Sequence, residues 1–177
     1  MAENAKKSLS EKLHHLPAAA GAAIMALLLV LSLFVGNFRA LQKATPKDFI
    51  RWGDVKSILE DRIDAAQNVV AVAARVGLDG TKDVDDAIRA LEKARSAREI
   101  SRADQTLTAA VSRLTTAQLS GEDARSMMRA ADDFAEQGSF LRQEARSFNE
   151  QAEKAEALYE KLPTKFLFAE PDVYEGI

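Results

Sequence analysis

The sequence contains no cysteine. Disulfides, thiolate nucleophiles and Cys-ligated zinc are therefore excluded, and the redox compartment is left open. Histidine occurs twice, as the adjacent pair His14-His15, and nowhere after it. From residue 16 onward the chain thus lacks the commonest general base, the partner of a Ser–His pair and the Glu-x-x-His pairs of di-iron bundles. Proline (4 residues), glycine (8 residues) and aromatics (6%) are sparse in a chain of 177. So few breakers amid abundant Ala, Leu, Glu, Lys and Arg make a helical composition. There is no Gly-rich phosphate loop and no nucleophile elbow.

Charge is missing altogether between Lys12 and Arg39. Within that gap Leu16 to Gly36 reads LPAAAGAAIMALLLVLSLFVG. These residues span about 31 Å as a helix, the thickness of a bilayer's hydrocarbon layer. A core helix would carry polar residues every third or fourth position, whereas Ser32 is the only one here. The run Ile24–Val35 has the size of a signal-peptide h-region behind Lys6, Lys7 and Lys12, but no cut site follows. Cleavage favours small residues at −1 and −3, and Phe34, Phe38 and Gln42 fall at −3 for cuts after Gly36, Ala40 and Ala44. The expectation is an uncleaved anchor over residues 16–38, between a short basic tail (1–15) and a juxtamembrane linker (39–45). His14 and His15 read as interfacial polar residues.

Charge is also unevenly shared. Residues 1–45 hold 5 Lys/Arg against 2 Asp/Glu, a net +3, and residues 46–177 hold 19 against 25, a net −6, which together give the chain's −3. An acidic domain is a poor nucleic-acid binder, while a basic leader suits anionic lipid. Flanking charges are nearly balanced across the anchor, with three Lys before it and Arg39, Lys43, Lys47 and Arg51 after it.

Beyond the anchor, Thr45-Pro46-Lys47-Asp48 reads as a helix start. Val55, Ile58/Leu59, Arg62/Ile63, Ala66, Val69/Val70, Ala73 and Val76 then recur at three and four residues, the stripe of an amphipathic helix. Gly77-Leu78-Asp79-Gly80 stops it. Thr81 caps a second helix with the stripe Val84, Ala87/Ile88, Leu91, Ala94, which the pattern continues through Leu107, Val111 and Leu114. After Ser120-Gly121 a third helix carries Met127/Met128, Ala131, Phe134, Leu141, Ala145, Phe148, Ala152, Ala155 and Tyr159, a heptad-like seam that Pro163 ends. The predicted fold is all-α: an N-terminal transmembrane helix, then an elongated antiparallel bundle of three to four long helices over 46–163, with an apolar C-terminal tail (164–177) packed on it.

Charged clusters read as surface. Asp83, Asp85 and Asp86 sit where a helix N-terminus favours carboxylates. Glu150, Glu153, Glu156 and Glu160 form a solvated ridge. Arg89, Lys93, Arg95, Arg98 and Arg102 lie within reach of Asp85, Glu92 and Glu99, as helix-surface ion pairs. No catalytic, cofactor-binding or metal-ligating set stands out, and no cofactor is expected.

Residues 62–70, RIDAAQNVV, resemble the first-helix signature of the LemA family: a basic residue (Arg62), an acidic one (Asp64), then Asn68 followed by Val69 and Val70. Ala94-Arg95 is similar to an Ala-Arg pair of the family's second helix. Phe148-Asn149, fifteen residues before Pro163, resembles the Tyr-Asn…Pro spacing of its long helix, and KFLFAEPDVYEGI, with Phe168 and Tyr174, its apolar ending. Departures are Gln67 where the family has Pro, Phe148 for Tyr, Ala155-Glu156 for a second Tyr-Asn, and Leu119-Ser120-Gly121 for a Tyr-Pro. The resemblance implies a membrane-anchored helical bundle facing away from the cytoplasm, with Arg62, Asp64, Asn68, Val69, Val70, Arg95, Phe148, Asn149, Pro163 and Tyr174 as its structural signature. It implies no defined activity. The function expected is that of a single-pass cell-membrane scaffold or protein-interaction module without catalysis of its own. Its partners would be the bilayer through residues 16–38, other membrane or envelope proteins and a further copy of itself, and not nucleic acid. The alternative is an extracytoplasmic sensor acting through a membrane partner.

Overall fold

A computed structural model describes residues 18–46, 48–160 and 172–176. The described part is all-helical. Several residues read above lie outside it: Lys6, Lys7, Lys12, His14, His15, Lys47, Pro163, Phe168 and the side chain of Tyr159. The chain divides into two compact units, Met1–Lys43 and Ala44–Ile177.

The first unit is dominated by helix α1, Ala18–Ala44. Its large apolar side chains from Ile24 to Phe38 are exposed, Leu27, Leu29 and Leu33 each by more than 60%, while Leu41 is buried. A helix of this length and composition is long and apolar enough to cross a membrane, at about 1.5 Å per residue. The helix does not stop at residue 38. It runs on through the stretch expected as a linker, because nothing from Arg39 to Ala44 breaks it.

Among its described residues the second unit contains four α-helices: α2 (Val55–Arg75), α3 (Thr81–Lys93), α4 (Ala97–Thr115) and α5 (Gly121–Glu160). The expected start at Thr45 is instead a short 3-10 turn, Phe49–Arg51. There the Asp48 carboxylate accepts from the Ile50 N–H at 3.1 Å, and α2 begins only after Asp54. α2 ends in a Schellman motif. Leu78 N–H donates to the Ala73 carbonyl and Gly77 N–H to that of Ala74, and Gly77 supplies the positive φ (71°) that an L side chain resists. The helix expected from Thr81 to Leu114 is two helices. Ala94 to Ser96 turns the chain, with Ala94 extended at φ −63°, ψ 141°, and Ser96 opens α4 with a full capping box to Glu99. α5 is unbroken through Gly138 and is about 60 Å long.

α2 packs along α5, and α3 along α4. Both pairs are antiparallel. Arg75 near the end of α2 donates to Asp123 near the start of α5 at 2.7 Å, and Arg113 near the end of α4 donates to Asp83 in the first turn of α3 at 3.1 Å. The core runs from Val55, Ala66, Val69 and Ala73 of α2 to Leu141, Ala145 and Phe148 of α5. Ile100, Leu107 and Val111 of α4 join it. Of the Met127-Met128 pair only Met127 is buried.

Candidate functional site

Arg62 occupies an apolar-stripe position of α2, so its guanidinium is carried into the core, where it is 1% exposed. A buried cation is tolerated only when its donors are paired. Here Nε donates to the Asp104 carboxylate of α4, Nη1 to the Phe134 carbonyl of α5 at 2.8 Å, and Nη2 to Thr108 Oγ1 at 2.7 Å. The Phe134 ring lies under the guanidinium, 3.9 Å from its carbon, a cation–π contact. One side chain thus ties three helices together.

Gly138 makes room for it. A Cβ on Gly138 would stand 2.5 Å from Arg62 Nη1, and that nitrogen is held by its bond to Phe134. Glycine in mid-helix is unfavourable by roughly 1 kcal/mol against alanine. Its presence here is explained by the close approach of the guanidinium.

The second oxygen of Asp104 accepts from the Tyr174 hydroxyl at 3.2 Å. This brings segment 172–176 onto the bundle. Asn149 of α5 holds the Tyr174 backbone from both sides: Nδ2 donates to its carbonyl at 2.8 Å, and its N–H donates to Oδ1 at 2.9 Å. The buried Tyr174 ring packs on Phe49 at 5.4 Å; Phe49 meets Phe148 edge-on at 5.0 Å, and Phe148 meets Trp52 at 5.6 Å. Burial, then the neighbouring Asp104 carboxylate, pushes the Tyr174 phenol well above its ordinary value.

Charge fastens the segment on both sides of Tyr174. The Asp172 carboxylate accepts from the backbone N–H groups of Ala97 and Arg98 at the start of α4. The Ser96 hydroxyl takes the Glu99 N–H, and the Ser96 N–H donates to the Glu99 carboxylate. All four N–H groups that open α4 are thereby paired. Glu99 reaches back to the N–H groups of Arg95 and Ser96, which hold its carboxyl below the usual range. Glu175 lies between Arg98 (2.8 Å) and Arg102 (3.3 Å), and its carbonyl accepts from the Ser101 hydroxyl. Of the basic stretch, Arg98 and Arg102 therefore meet an acid distant in the sequence, and Arg89 pairs with Asp86 on its own helix.

Of the residues singled out by sequence, the structure brings Arg62, Phe148, Asn149 and Tyr174 into this one connected set. Asp64 and Arg95 are exposed and line an open groove of about 440 Å³ between α2 and the end of α3, with Ile50, Leu59, Ile63 and Leu91 at its floor. Arg95 is not on a helix but in the α3–α4 turn, where its guanidinium donates to the Glu92 and Ala94 carbonyls. Asn68 is exposed elsewhere on α2, Val69 is core and Val70 packs against it. Pro163 is outside the described residues. The partners Asp104, Thr108, Asp172 and Glu175 were not anticipated. Asp104 had a signal, since it falls on the stripe of Ile100, Leu107, Val111 and Leu114 just as Arg62 falls on that of α2.

The chemistry available is recognition and locking. The Asp104 carboxylate, the phenol and the guanidinium all donate or accept inward, and they close on one another. Among the described residues, no group of three or more His, Asp or Glu is placed to hold a metal ion. No family model, no curated protein and no solved structure matches the chain.

Proposed function

We propose that this chain is a membrane-anchored, LemA-like helical scaffold that binds other envelope proteins and catalyses no reaction of its own. The observation that carries this reading is the pairing of two units of opposite character. One is an outward-facing apolar helix of bilayer length. The other is a helical domain whose most elaborate polar cluster is turned inward and consumed in holding the bundle together. An anchor restricts the domain to one membrane face, and a locked core with an exposed groove suits a fixed binding surface. On this reading the short leader is cytoplasmic and the domain extracytoplasmic.

Two measurements test it. Intact-mass analysis of membrane-extracted protein should return the full leader; a mature N-terminus between Gly36 and Pro46 defeats the anchor. A photo-crosslinking amino acid at Lys56 or Glu92, which border the groove, should trap discrete membrane or envelope proteins in intact cells. Trapping none at either position, with the protein at its normal level, removes the scaffold reading.

A further inference from the structure

Segment 172–176, Asp-Val-Tyr-Glu-Gly, is held the way a bound peptide is held. Both backbone polar groups of Tyr174 are read by one amide side chain, Asn149. Its ring fills a place lined by Phe49, and its hydroxyl meets a charged acceptor, Asp104. The flanking carboxylates are matched by a helix start and by two arginines. Backbone bonds, one buried aromatic anchor and complementary charge are the ingredients of peptide recognition. The seat is made wholly of residues 49–149, so it is complete without the segment that occupies it.

The connection leaves room for exchange. Glu160 ends α5 eleven positions beyond Asn149, about 17 Å along the helix axis. The residues from 161 to 171 can bridge up to about 36 Å. That contour exceeds the distance back to the chain's own seat, and a connection longer than its own seat needs is what reaching an identical seat on a neighbour requires. Tethering two copies to one membrane raises the effective concentration of each segment at the other's seat.

We infer that the seat formed by Asn149, Asp104, Phe49 and the Arg98/Arg102 pair is a recognition site for an Asp-x-Tyr-Glu segment, and that its partner in trans is the same segment of a second copy. Two copies then exchange segments reciprocally. The effective-concentration argument rests on the membrane anchor of the proposed function. The seat and its segment do not depend on envelope partners, so a failure to trap such partners leaves the inference untouched.

Charge reversal tests it on exposed residues, where the fold is not at risk. One full-length chain carries Glu175→Arg with a native seat. The other carries Arg98→Glu/Arg102→Glu with a native segment. Within either chain, segment and seat now repel; between the two kinds, both segments match both seats. The chains are tagged differently, mixed in detergent micelles, and captured through one tag. Mixed capture should exceed same-kind capture by about tenfold, and Asn149→Ala in both chains should abolish the excess. Circular dichroism checks that each variant keeps its helicity. Equal capture in mixed and same-kind samples, or an excess that survives Asn149→Ala, overturns the inference.

Discussion

Arg62 shows how a single charged residue organises a core it would otherwise disrupt. Its cost in desolvation is offset only while Asp104, Thr108 and the Phe134 carbonyl remain in place. Arg62→Met fills similar volume but leaves Asp104 buried with the Tyr174 hydroxyl alone. We expect a loss of about 3–5 kcal/mol in urea melts of the domain. Replacing both partners, Arg62→Met with Asp104→Leu, should restore much of that loss, since no uncompensated charge remains.

Tyr174 adds a pH dependence at the same scale. Its folded phenol holds the proton more tightly than the unfolded chain does, through burial first and Asp104 second. Its contribution is therefore complete below the ordinary tyrosine value of about 10 and is lost as pH rises through the higher folded value. Tyr174→Phe should be less stable near neutrality by about 1.5–3 kcal/mol, for the lost bond to a charged acceptor. Its urea midpoint should then fall less than that of the unsubstituted protein between about pH 8 and about pH 11. Parallel falls would show that the phenol does not titrate with unfolding.

At the scale of elements, periodicity alone is an incomplete guide. Apolar positions continue in helical register from Val84 to Leu114, which is why one helix is expected there. The chain nevertheless turns at Ala94–Ser96, because Ser96 and Glu99 cap each other and Asp172 takes the remaining N–H groups. The Ser-x-x-Glu signature was present in the sequence, but the distant Asp172 was not readable as its third participant. Ser96→Ala should cost about 0.5–2 kcal/mol. The Glu99 carboxyl is lowered by the Arg95 N–H first and the Ser96 N–H second. Its stabilisation is thus present above the ordinary carboxylate range and lost as pH falls through the lowered folded value. Glu99→Gln should flatten that acid limb of the stability profile, and an unchanged limb would count against the cap.

On α5 the seam separates two neighbours by role. Phe148 is 1% exposed and wedged between Phe49 and Trp52, so Phe148→Ala should lose about 3–5 kcal/mol. Asn149 stands about 100° round the helix, off the core and on the segment. Asn149→Ala should lose less in the melt, on the order of 1–3 kcal/mol for its two bonds, while releasing segment 172–176 to proteolysis. Phe148 was legible from spacing alone. The Arg62–Asp104 pair was half legible, as two opposite charges each on an apolar stripe. The seat of Tyr174 was not, because its parts are up to 125 positions apart in sequence, from Phe49 to Tyr174.

At the scale of the molecule, a net-basic, apolar first stretch and an acidic, helical remainder fall on either side of the boundary between the two compact units, Met1–Lys43 and Ala44–Ile177. Separate units predict separate folding. A fragment of residues 44–177 should unfold cooperatively and show full helicity in the presence of a chelator. Low helicity regained on adding a divalent metal would contradict this.

The entry and exit of that second unit adjoin. Gln151 of α5 donates to the Ala44 carbonyl at 3.0 Å, two positions from the asparagine that holds Tyr174, and the rings of Phe49 and Tyr174 touch. Tension applied between Ala44 and Gly176 would therefore not run along the length of the bundle. It would peel the segment away bond by bond, first the Glu175 contacts to Arg98, Arg102 and Ser101 and then the Tyr174 contacts to Asn149 and Phe49. The long α2–α5 pair would bear load only after that clasp had parted, so the domain has a built-in mechanical fuse at its doorway.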